Sequence, residues 1–133
     1  MATVIARTRG VIHKLRVEEG DRVQAGQALA EELARRAYVQ HTQGHTHVRT
    51  SPEEMAAIAR FVAERLNSAA GPRAVLIPLQ GFSMFNREGE VLYDEAANMA
   101  FVQTMRQELW SDVGLIEVRA HINDRAFADL VVG

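Results

Sequence analysis

The chain has 133 residues, 47% hydrophobic and 24% charged, close to the average of a soluble globular domain and enough for one compact domain with an appendage. It has no cysteine, which excludes disulfides, thiolate metal sites and cysteine nucleophiles, and its 15 Lys and Arg against 17 Asp and Glu leave a formal charge of −2, too balanced for a nucleic-acid footprint. No apolar run approaches the roughly 18 residues of a membrane span, and the N-terminus lacks the apolar core of a signal peptide, so a cytoplasmic protein with no membrane or nucleic-acid partner is expected.

Residues 2–30 are rich in β-branched residues, glycine and turn signals. Thr3-Val4-Ile5 opens a short strand, and Val11, Ile12 and Leu15 follow Gly10. Val17 precedes the turn signal Glu18-Glu19-Gly20-Asp21, and Val23 precedes Ala25-Gly26; the pattern predicts a small antiparallel β-unit. Ala28 to Ala37 then switches to helix formers. Tyr38 to Arg49 is polar, holds three histidines and predicts a strand at its end. Ser51-Pro52-Glu53-Glu54 is a helix start: Ser51 caps, Pro52 suits the first helical position and Glu54 completes a capping box. Met55, Ile58, Ala59, Val62 and Leu66 recur at helical spacing until Asn67 and Gly71-Pro72. Ala74 to Leu79 is an unbroken apolar run that reads as a central strand covered on both faces. Gln80 to Asp94 is a long polar connection, and Asp94 caps a second helix carried by Met99, Val102, Met105 and Leu109. Leu115-Ile116-Glu117-Val118 is a further strand, and Asp124 caps a short last helix over Ala126 to Val131.

Strands and helices in this order imply the α/β class, a parallel sheet with flanking helices preceded by a small antiparallel β-unit, divided as 1–36 and 37–133. Parallel strands end on one sheet edge, where open α/β sheets bind ligands. Two segments leave strands there. In Gly81-Phe82-Ser83, the glycine lets backbone N–H groups approach an anion and Ser83 adds a hydroxyl. In the other, His121 is the candidate general base, with Asp94 or Asp124 to orient it and Asn123 beside it; the alternative is a hydrogen-bonded structural histidine. Arg49 can clamp a carboxylate or phosphate if the segment before the first helix is a neighbouring parallel strand; otherwise it pairs with Glu53 or Glu54. His41, His45 and His47 form an H-x-x-x-H-x-H cluster that reads as solvated loop histidines, with a metal site as the alternative; no metal is expected.

Three blocks are familiar: Arg49-Thr50-Ser51-Pro52-Glu53-Glu54, Leu76-Ile77-Pro78-Leu79-Gln80-Gly81-Phe82-Ser83, and Ala120-His121-Ile122-Asn123-Asp124 with Ala126-Phe127-Ala128-Asp129. In order and spacing they resemble the C-terminal end of the tobamovirus-resistance-type (Tm-1-like) ATP-binding family over about residues 37–133. Members of that family are two-lobed, with Rossmann-like layers. The resemblance therefore implies a partial Rossmann-like sheet, and ATP as a ligand on the resemblance alone. The family's nucleotide-binding half falls outside the match. Where the family shows a His-Asn pair before the Arg-Thr block, this chain has His41-Thr42-Gln43-Gly44-His45-Thr46-His47, and Arg87-Glu88-Gly89-Glu90 replaces a glycine-proline loop.

Through Gly10 to Ala30, with the turns Glu19-Gly20-Asp21 and Ala25-Gly26-Gln27, about residues 2–33 resemble one half of a biotinyl/lipoyl carrier domain. A carrier displays its modified lysine at a hairpin tip. Lys14, the one lysine, lies between His13 and Leu15 in a strand-like run, so no covalent biotin or lipoyl group is expected. Half a barrel cannot bury its own apolar face, so it packs on residues 37–133 or pairs with a copy of itself in another chain, and a homo-oligomer is expected. Two functions follow: an α/β lobe that binds a small anionic or phosphorylated ligand, or a non-catalytic assembly module that oligomerises through its N-terminal β-segment.

Overall fold

The computed structural model describes residues 2–8, 11–17, 35–43 and 45–132. The β-branched N-terminal stretch forms an antiparallel pair, β1 (Ala2–Thr8) with β2 (Val11–Val17), from Ala2 opposite Val17 to Thr8 opposite Val11. Lys14 stands in mid-strand opposite Ile5, away from any hairpin tip. The turns expected at 18–21 and 25–26, Val23, and the expected helix as far as residue 34 lie outside the described residues; residues 35 and 36 take turn and bend conformations.

The polar histidine stretch holds two strands where the sequence shows one. β3 (Tyr38–Thr42) pairs antiparallel with β4 (His45–Val48). Gln40 faces Thr46 and Thr42 faces His45, so His41 is the extra residue of a bulge. The Arg49 N–H donates to the Ala37 carbonyl at 2.9 Å, which ties off the base of the pair. The chain divides into two compact units, 1–49 and 50–133, so this hairpin groups with the N-terminal strands and the α/β layer stands by itself.

In the second unit, α1 (Pro52–Ser68) starts as its sequence dictates: the Glu54 N–H donates to Ser51 Oγ and the Ser51 N–H donates to Glu54 Oε2. β5 (Ala74–Pro78) runs parallel to β6 (Gly114–Val118), from Ala74 beside Gly114 to Pro78 beside Val118, and α2 (Glu95–Glu108) is the helix of the crossover between them. A short α3 (Arg125–Val132) follows. Both long helices contribute to one core: Ala59 and Ala63 of α1, Val102 and Met105 of α2 and Ile77 of β5 are buried together, with Val75 and Leu115 against them. The alanines let α1 approach closely, and Val62 and Leu66 of the same helix pack against the cluster.

β5 has one hydrogen-bonded neighbour among the described residues, whereas the unbroken apolar run reads as a central strand. The Leu79 N–H donates to Val118 O and the Gly114 N–H to Arg73 O, so odd-numbered positions of β5 bond to β6 and even-numbered ones direct their backbone away from it. Pro78, which has no N–H, occupies one of those outward positions, where proline is tolerated. At the opposite end of the layer two side chains stitch the elements. Arg73 donates to the Leu66, Asn67 and Gly71 carbonyls and pairs with Asp112 at 2.9 Å. Asn67 donates to Glu108 O and accepts from the Trp110 N–H, closing the end of α2. Met105 is fully buried in this core, so Met105→Ala is expected to lower unfolding free energy by about 2–5 kcal/mol, measured in urea with the transition still two-state.

Candidate functional site

The two strand exits do not separate after the ladder ends. The Gln80 N–H donates to Ala120 O at 3.0 Å, and the Ile122 N–H donates to Gly81 O at 3.0 Å. Gly81 and His121 are thereby brought together. A Cβ on Gly81 would lie 1.6 Å from the Asn86 carbonyl oxygen and 2.8 Å from His121 Cδ2, and φ is +128°. Only glycine fits, because backbone and imidazole occupy the side-chain position.

His121 is 2% exposed and is held by both ring nitrogens. Asn123 donates its backbone N–H to Nδ1 at 3.2 Å, so that nitrogen carries the lone pair. The neutral ring then has its proton on Nε2, which donates to the Ser83 carbonyl at 2.9 Å. The imidazole ties the loop after β5 to the loop after β6, a structural task with no sequence signal. A general-base role would require the Asn123 N–H to release Nδ1.

Asp124 uses its two carboxylate oxygens differently. Oδ2 accepts the His121 backbone N–H at 2.9 Å, and Oδ1 accepts Arg87 Nη2 at 2.6 Å. The backbone donor first, and the guanidinium second, hold this carboxyl below the ordinary carboxylate range. Asp124 also starts α3 through its backbone, since its carbonyl accepts from the Phe127 and Ala128 N–H groups. It orients the His121 main chain while the ring is held by the two loops.

Of the other predicted residues, Ser83 and Asn123 stay with His121 through their main chains, whereas Asp94 and Arg49 have other settings. Ser83 and Asn123 are exposed on the two exits. Asp94 heads α2 and its Oδ1 accepts the Ala97 N–H at 2.9 Å. Arg49 belongs to the other compact unit, and the condition for its joining the site is not met: β4, which precedes it, runs antiparallel to β3 in a separate sheet. His41 and His47 lie on the β3–β4 hairpin, and among the described residues no three His, Asp or Glu side chains come together as a metal cage. Two features have no local sequence signal. Arg87 is the first residue of a charged turn. Asn86 and Asn98 exchange reciprocal amide hydrogen bonds of 2.8 and 2.9 Å, both buried, and pin the loop after β5 to α2.

A cleft of about 260 Å³ lies along β5, lined by Met55, Val75, Ile77, Phe82, Phe101 and Ile122, among others. Phe82 and Phe101 meet edge to face at 5.5 Å between ring centres. Phe82 and Ile122, each adjacent in sequence to a strand-exit residue, lie in this wall, whose lining residues are all apolar.

Residues 21–133 match the family model described as the C-terminal domain of the uncharacterised protein family UPF0261. The chain is 36% identical over 104 residues to a UPF0261 protein of Brucella melitensis, covering 78% of this chain and 25% of that one. It is 36% identical over 110 residues to one from Rhizobium meliloti, covering 81% and 28%. The tomato ToMV resistance protein Tm-1 is 30% identical over 104 residues, 76% of this chain and 14% of that protein. The chain thus spans about a quarter of the length of its curated bacterial relatives. The family match begins at residue 21 and takes in part of the stretch that resembles a carrier half-barrel; that second resemblance finds no support beside it.

Two outcomes test this geometry. Gly81→Ala is expected to destabilise by more than about 2 kcal/mol in urea, since a clashing Cβ and a left-handed backbone combine there. The lowered Asp124 carboxyl contributes stability above the ordinary carboxylate range and loses it as pH falls through its folded value. The stability difference between the parent and Asp124→Asn, followed by urea unfolding across acidic pH, is expected to be constant near neutrality and to shrink as pH falls through the ordinary carboxylate range towards the lower folded value.

Proposed function

The chain belongs to the UPF0261 C-terminal domain family, and we propose that residues 50–133 act as a ligand-binding α/β lobe for a small anionic or phosphorylated molecule. The observation that supports this is the joining of two parallel-strand exits around one buried imidazole, with Ser83 and Asn123 left exposed on either side. Open α/β sheets bind ligands at this edge. The Ser83 hydroxyl and the Asn123 amide supply donors, and the Arg87 guanidinium, half-exposed on Asp124, is the cation an anionic group would share. The apolar cleft receives the uncharged part of the same ligand. His121 serves as a positioning residue. ATP stays among the ligands to try because of the Tm-1-like resemblance.

Isothermal titration of the whole chain with ATP, ADP, sugar phosphates and inorganic phosphate is the test. Binding by at least one phosphorylated compound is expected. Ser83→Ala with Asn123→Ala should weaken it about tenfold or more, as loss of hydrogen bonds to a charged group does. No heat with any of them, or full affinity in the double variant, overturns the reading.

A second reading, a non-catalytic assembly module that oligomerises through its N-terminal β-segment, rests on the two-stranded β1–β2 sheet, in which each strand has one hydrogen-bonded neighbour among the described residues. An unpaired edge invites another chain. It predicts a homo-oligomer in light scattering whose size falls when residues 1–36 are removed; a monodisperse monomer at high concentration refutes it.

A further inference from the structure

The histidine-rich hairpin belongs to the other compact unit. We propose that it is a two-histidine clamp for a divalent transition-metal ion, held by the imidazoles of His41 and His47. The strand pairing brings them together. Val39 faces His47 across the ladder, and His41 lies two residues beyond Val39 on the same strand, at the bulge. Bulges re-aim a side chain out of the regular alternation. The two ring centres are 5.6 Å apart, with an angle of 61° between the planes.

That separation suits chelation. An imidazole nitrogen sits about 2.0–2.1 Å from zinc, so its ring centre is roughly 3.2 Å from the ion, and two rings at a tetrahedral angle have centres about 5.2 Å apart. The observed value is within a small rotamer adjustment of this. Imidazole ligands without thiolates favour zinc, nickel and above all copper(II). Thr42 and Thr46 are exposed beside the pair, and His45 stands opposite Thr42 in the register. A clamp of two leaves the other coordination positions to water, so its affinity lies well below that of a closed structural site.

The experiment uses the whole chain and the ions alone. Copper(II) chloride and zinc chloride are titrated calorimetrically, and the copper form is read by electron paramagnetic resonance. One ion per chain is expected, with nitrogen splittings from two imidazoles in the copper spectrum. His41→Ala and His47→Ala should each weaken binding at least tenfold, with an unchanged circular dichroism spectrum, while His13→Ala should retain parental affinity. Equal affinity in the His41→Ala/His47→Ala double variant overturns the proposal. So does loss of binding in His13→Ala alone, or a copper spectrum without nitrogen splitting.

Discussion

The site end of the α/β layer depends on one imidazole whose two nitrogens do opposite things. Nδ1 of His121 accepts from the main chain two residues on, and Nε2 donates to the main chain 38 residues earlier. Each bond contributes only about 1 kcal/mol net, but a buried ring left with an unmatched nitrogen costs about 1–3 kcal/mol. The arrangement is therefore specified by the cost of its alternatives. Gly81 gives the ring its space, the Asn86–Asn98 amide pair holds the loop that supplies the Ser83 carbonyl, and the Asp124 carboxylate fixes the main chain that carries the ring. These contacts share partners, so their energies are coupled and not additive.

Parts of the fold were legible in the sequence because they rest on neighbours in the chain. The capping box at Ser51 spans three residues, the Asp94 cap likewise, and the parallel pairing follows from a helix placed between two strand-length runs. The site was legible only as a list. His121 showed no structural role in the sequence because one of its partners is a backbone carbonyl in a distant loop, and a backbone group leaves no mark on a side-chain pattern. Arg87 meets Asp124 across 37 residues and Asn86 meets Asn98 through a loop and a helix turn, so neither pair has a spacing to read. β3 was missed for another reason: Tyr38 to Thr42 lacks apolar alternation, and its pairing is supplied by β4 and a bulge.

The two ends of the α/β layer are built from different chemistry. At the end where the strands begin, Arg73 and Asn67 take up carbonyls that the helices cannot satisfy themselves. At the end where they finish, polar side chains stand on loops that cross-bond each other. Midway, Arg106 grips Glu117 with two bonds of 2.6 and 2.7 Å and fastens α2 to β6. A site carried on loops normally inherits their mobility. Here the loops are anchored to rigid elements on both sides, which is what precise placement of a hydroxyl and an amide demands.

Pro78 sets a limit on what can happen along β5. Of the outward-facing positions, Ala74 and Leu76 offer both a donor and an acceptor, while Pro78 offers only a carbonyl. A strand added to this edge would find complete pairing over the first half of β5 and lose it at the proline, next to Phe82 and Ile122. The ring thus acts as a stop in the zipper. A strand zipping onto this edge would meet a missing donor at the last residue of β5, just before the loop.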